Sequence, residues 1–178
     1  MKKRQNLQNK IRVLGIDPGT ATTGWAILEE KSGKVFPIAY GHISTSPKNS
    51  TTERLKEVAD DLEKIARKYV PIEAAVEDIF FFKNLKTAMK VSQSRGAILL
   101  TLEKNNIKIS EYTPLQVKQA LTGYGQAEKS QIQLMVKNIL KLKKIPKPDD
   151  TADAIAIAIC HLNSRKMKMV ELKNKSKV

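Results

Sequence analysis

Four carboxylates of this 178-residue chain stand where a charge is hard to accommodate. Asp17 closes the apolar run Val13-Leu14-Gly15-Ile16 and opens the turn Pro18-Gly19-Thr20. Glu77 follows the strand-like Ala74-Ala75-Val76, where a charge costs free energy unless it is paired or binds metal. Asp150 and Asp153 are three apart and share one helical face. They precede Ala154-Ile155-Ala156-Ile157-Ala158-Ile159, a helix apolar all round and therefore buried. Each acid alone has an ordinary use. Asp17 can cap its own turn, or sit beside nucleotide phosphates as in sugar kinases and actin-like ATPases. Glu77 can serve an ion pair. Acids at a helix start cap it and complement its dipole, with Asp149 the expected N-cap. Together, however, they are the oxygen ligands a hard divalent cation takes, and without cations they would repel one another. Two cations about 3.5–4 Å apart activate water and stabilise the leaving oxygen of a phosphodiester. Metal-dependent phosphodiester hydrolysis is the economical reading of the set.

The remaining chemistry fits a polyanionic substrate. The chain carries 32 Lys+Arg against 18 Asp+Glu, a formal +14, and a field of that sign attracts nucleic acid. Just past Glu77 comes Phe80-Phe81-Phe82-Lys83-Asn84. If the strand continues, the three rings cannot all enter one core, so Phe80 or Phe81 is free to stack on an unpaired base, or else all three anchor the next helix. Lys129 follows a Gly-containing loop at a helix start, a place where backbone N–H groups grip phosphate, and Lys118 lies in the helix before it.

Five β-rich runs must position these residues: 11–17, 23–30, 34–40 (weakened by Pro37), 74–77 and 107–112. Helical spacing covers 50–69, 85–104, 114–123, 128–142 and 149–165. This order predicts an α/β fold, one mixed sheet with helices on both faces. The expected organisation is a single domain over 1–165 with a basic arm at 1–10 and a basic, fraying tail at 166–178. Actin-like kinases close two domains on their nucleotide, and this length suits one. No segment approaches the roughly 18 apolar residues of a membrane span, and one cysteine excludes an internal disulfide. An intracellular, cytoplasmic protein is expected.

GIDPGTATTGWAI, VEDIFFFKN, SQSRGA, VKQALTGYGQAEKSQIQ and PDDTADAIAIAICH resemble, in order and spacing, the motifs of the RuvC family of Holliday-junction resolvases over roughly residues 11–163. The resemblance implies a ribonuclease H-like fold with a mixed five-stranded sheet. It implies a homodimer that resolves four-way DNA junctions by symmetric paired nicks in recombination and repair, with the RuvA and RuvB branch-migration proteins as partners. It implies Mg²⁺, two ions per site, with Mn²⁺ able to substitute. Its acidic tetrad falls on Asp17, Glu77, Asp150 and Asp153. Its DNA-contacting positions correspond to Phe80, Lys118 and Lys129, with Arg95 as the arginine of its helix motif; Phe81 and Lys83 join them as neighbours in the same segment. Helix 85–104, with Leu85, Met89, Ala97 and Leu100, is the expected dimer face. The arm and the tail beyond Ser164 have no counterpart in those motifs, and Asp149 adds an acid beside Asp150.

Overall fold

The computed structural model describes residues 10–78 and 85–175. Their elements run β1 (Lys10–Asp17), β2 (Thr22–Lys31), β3 (Lys34–Ser44), α1 (Thr51–Tyr69), β4 (Glu73–Glu77), α2 (Leu85–Lys104), β5 (Lys108–Tyr112), α3 (Pro114–Thr122), α4 (Lys129–Ile139) and α5 (Asp149–Lys175). The arm before residue 10 and the segment holding Phe80, Phe81 and Lys83 lie outside the described residues.

One five-stranded sheet has the order β3-β2-β1-β4-β5. The first three strands form an antiparallel meander, whereas β4 and β5 run parallel to β1. The β2–β3 hairpin turns through Ser32 and Gly33, both at positive φ, as a two-residue turn matched to strand twist requires. Pro37 does not shorten β3. The strand lies on the sheet edge, where a missing N–H is tolerated, and the register slips beside it, pairing Ile27 with Ala39 and Leu28 with Pro37.

Strand alternation sorts the core into two layers. Leu14, Ile16, Ile27, Ala74 and Val76 pack under α1 and α2 with Val58, Leu62, Ile98 and Leu102. Val13, Ala26, Leu28 and Ala75 pack under α5, with α3 and α4 beyond it. Helix α1 begins in a Ser50–Glu53 capping box and α3 in one formed by Thr113 and Gln116, so both starts are written locally. Two helix ends differ from the pattern. Helix α4 stops at Ile139, and Lys141 has turned to a φ of 52°. Helix α5 runs on to Lys175, past the boundary expected at 165, because the basic stretch after Ser164 holds good helix formers and no Gly or Pro to stop it. In the middle of α5, Cys160 is buried. Among the described residues no helix is long and apolar enough to cross a membrane.

Candidate metal centre and its flanks

Asp17 and Glu77 end neighbouring parallel strands, one step beyond the paired Ile16 and Val76. By alternation both side chains face α5, as do Gly15 and Ala75. The carboxyl edge of an open α/β sheet is where such folds build sites. The first turns of α5 bring Asp150 and Asp153 to that edge, so all four tetrad acids converge: Asp17 feels the charges of Glu77, Asp153 and Asp150.

Two glycines make the approach possible. A Cβ on Gly15 would stand 2.2 Å from the carbonyl oxygen of Ala154 and 2.7 Å from the Ala158 methyl; one on Gly24 would stand 1.9 Å from the carbonyl oxygen of Asp150. The helix therefore rests almost directly on the backbones of β1 and β2. The turn after Asp17 is equally constrained. The Thr23 and Ser94 hydroxyls donate to the Gly19 carbonyl at 2.6 and 2.9 Å. Thr20 donates to the Lys90 carbonyl at 2.9 Å, and Thr45 to that of Thr20 at 2.6 Å. Sequence reasoning placed the acids but not this bracing. The Thr-rich composition was its only local sign.

Burial first, then the surrounding carboxylates, pushes the Asp17 pKa up to about 8. Burial and Asp153 push Glu77 up to about 7. Asp153 is also raised, chiefly by burial. The Lys129 ammonium stands 3.0 Å from Asp153 and 3.6 Å from Asp149. Partial burial works against its charge, but the hydrogen bond and field of Asp153 outweigh this and hold its pKa up. Asp149 is not the N-cap expected of it; it begins α5 itself, and its carboxylate takes Lys147 at 2.8 Å. Among the described residues no three acids are drawn to ligating distance, and an ammonium lies where the negative potential is concentrated. The donor set nevertheless fits a hard divalent cation, being all carboxylate oxygen and carrying a repulsion that cations relieve.

The expected DNA contacts divide. Lys118 and Lys129 line a cavity of about 270 Å³ with Glu77 and Asp153. Arg95 is turned inward instead. Its guanidinium pairs with Asp78 at 3.2 Å and with Glu111, and it donates to the Glu77 carbonyl at 3.3 Å. Asp78 lies away from Glu77, as strand alternation predicts. In this arrangement Arg95 ties α2 to the ends of β4 and β5 behind the acids. A second cavity, of about 400 Å³, opens on the other flank, lined by Gly19, Thr20, Thr22, Arg54, Lys90 and Asp150.

A polar network that sequence reasoning missed anchors α5 farther along. The His161 Nε2 meets Glu73 at 2.7 Å, its Nδ1 meets the Tyr112 hydroxyl at 2.9 Å, and Arg165 donates to Glu73 at 3.2 Å. The visible signal was the period-two series Glu73, Ala75, Glu77, which puts both glutamates on the α5 face.

The family model described as crossover junction endodeoxyribonuclease RuvC matches residues 13–161. A crossover junction endodeoxyribonuclease RuvC from Fusobacterium nucleatum is 54% identical over 154 residues, covering 86% of this chain and 81% of that protein. One from Halothermothrix orenii is 53% identical over 155 residues, covering 87% and 94%. Among solved structures, T. thermophilus RuvC in complex with Holliday junction substrate superposes with a TM-score of 0.84 at 34% identity, covering 89% of this chain and 96% of that one.

Proposed function

The chain belongs to the RuvC family of crossover junction endodeoxyribonucleases, and on that footing we propose that Asp17, Glu77, Asp150 and Asp153 hold the divalent cations with which it resolves four-way DNA junctions. Its fold is the ribonuclease H-like mixed sheet of that family, and the family is one of metal-dependent nucleases. The observation that carries the assignment is Asp17: a largely buried carboxyl among three others, its pKa pushed up to about 8, is unfavourable for folding and intelligible as a cation ligand.

Mg²⁺ is the ion we infer, two per site, with Mn²⁺ able to replace it, since carboxylates accept both. Bound there, the ions would activate water and stabilise the leaving oxygen. The chain's own residues do the rest. Asp17 and Glu77 set the floor of the site from rigid strand ends. Asp150 and Asp153 close it from α5. Lys118 and Lys129 rim the adjoining cavity and suit a backbone phosphate beside the cut. Phe80, Phe81 and Lys83 belong to the same reading as contacts to unpaired bases and backbone near the junction centre.

One subunit carries one acidic site, and resolution needs two opposed cuts, so we infer a two-fold homodimer. Helix α2 supports this. Met89 and Leu100 are 60% and 57% exposed, Gly96 lies between them with open space at its Cβ position, and half-buried Ala97 adjoins it; the Leu85 side chain lies outside the described residues. Action with RuvA and RuvB in the cytoplasm completes the proposal. Its test is Mg²⁺-dependent nicking of a synthetic four-way junction, with Mg²⁺ binding followed by calorimetry. The wild type is expected to bind the ion and cut; Asp17→Asn is expected to bind junction, lose the heat of Mg²⁺ binding and fail to cut. Full cleavage by Asp17→Asn would overturn the assignment.

A further inference from the structure

The tetrad is a ridge between two hollows. Glu77 and Asp153 wall the cavity of about 270 Å³ that Lys118 and Lys129 rim. Asp150 walls the cavity of about 400 Å³ on the other flank, where the cations are Arg54 and Lys90. A phosphodiester has a nucleotide on each side, so a strand lying across the acids occupies both hollows. From this we propose that the larger hollow binds the backbone of the cleaved strand on the side of the cut opposite Lys118 and Lys129, with Arg54 and Lys90 as its phosphate contacts. The inference rests on the acidic tetrad being the cutting site.

Arg54 is suited to the task. It lies half-buried in the first turn of α1, and its Nε donates to the Thr45 hydroxyl at 2.7 Å. That single bond aims the fork, and a guanidinium held this way presents its remaining N–H groups in a geometry matched to phosphate. Among the described residues neither Arg54 nor Lys90 takes part in an ion pair, whereas Arg12, Arg67 and Arg95 do. Lys90 is anchored through its backbone, its carbonyl accepting from Thr20 at 2.9 Å, and its side chain is exposed. Both cations therefore hang from the same hydroxyl-braced turn that follows Asp17, so the grip on the strand and the position of the cut share one frame. The hollow's size falls within the ~300–1,000 Å³ of ligand sites.

Arg54 also braces the fold through Thr45, and a bracing role alone would lower stability or maximal rate without changing how binding responds to salt. The discriminating measurement is junction affinity against salt, for wild type, Arg54→Gln, Arg54→Lys, Lys90→Gln and the Arg54→Gln/Lys90→Gln double variant. The probe is a synthetic four-way junction, with single-turnover nicking rates at saturating enzyme alongside. Each neutralised contact is expected to reduce the slope of log affinity against log salt by about 0.7–1. The half-saturating concentration is expected to rise about five-fold. Arg54→Lys is expected to retain the slope. An unchanged slope in Lys90→Gln, whose exposed side chain makes folding loss no explanation, together with an unchanged slope in Arg54→Gln, overturns the proposal. Failure of the wild type to nick junctions would strike the tetrad assignment instead, and leaves the binding slopes readable.

Discussion

Asp17 works against the fold that holds it. A carboxyl whose folded-state pKa lies above its unfolded value binds its proton more tightly in the folded chain. It therefore withdraws stability as pH rises from the unfolded value, about 4, through the folded one. Asp17 at about 8 and Glu77 at about 7 place that window between pH 4 and 8. In EDTA, the melting temperature should climb as pH is lowered from 8 toward 5, and Mg²⁺ should flatten the dependence. Glu29 and Glu73 oppose the trend only near and below their ordinary range, since the Lys10 hydrogen bond lowers the first, and His161 and Arg165 outweigh burial to lower the second. The same logic makes Asp17→Asn more stable than wild type at pH 8 without metal, by about 2–4 °C in melting temperature for each kcal/mol of repulsion relieved. A lower melting temperature for the variant in EDTA would contradict it.

Among the elements, α5 decides whether the acids meet. Its Ala154 and Ala158 lie against Gly15, and its first turn against Gly24, so bulk at either glycine must push the helix outward. Gly15→Val should cost about 1–3 kcal/mol, as overpacking does. It should also abolish nicking although no carboxylate is touched, because Asp150 and Asp153 move with the helix; denaturant melts and the junction assay measure the two effects separately. Much of this arrangement was legible in advance. The five β-rich runs and the helices of the sheet's two faces follow from alternation and from caps such as Ser50 and Thr113, which act within a few residues. The convergence of the four acids was legible because Asp17 and Glu77 close apolar runs while Asp150 and Asp153 open one. What escaped depends on contacts between distant residues: no local pattern says that Gly15 meets Ala158, that Arg95 is claimed by Asp78 and Glu111, or that His161 joins Glu73 to Tyr112. The unbroken run of α5 past 165 was a local feature misread, since basic composition alone does not end a helix.

For the molecule as a whole, +14 draws any DNA, and only the placement of sites selects a junction. Two cuts related by symmetry require two tetrads at a fixed separation, and the stripe through Met89, Gly96 and Leu100 is the face that would set it. The wild type should sediment as a dimer and Leu100→Glu as a monomer at the same concentration. Junctions should then be nicked once rather than in coordinated pairs. A dimeric Leu100→Glu would place the interface elsewhere.

The chain's single cysteine has a use that concerns neither DNA nor metal. Cys160 is 1% exposed in the middle of α5, bonded to the Gln116 carbonyl at 3.7 Å, with burial pushing its thiol up to about 11. The thiol lies on the side of α5 that faces α3, so a thiol reagent reaches it only when α3 parts from α5, and the labelling rate reads how often that happens. Labelling should be slow in the native protein and faster in Gly15→Val, where the added bulk pushes α5 from the sheet toward α3. The unmodified chain thus carries its own clock for the loosening of the helical layer that backs the four acids.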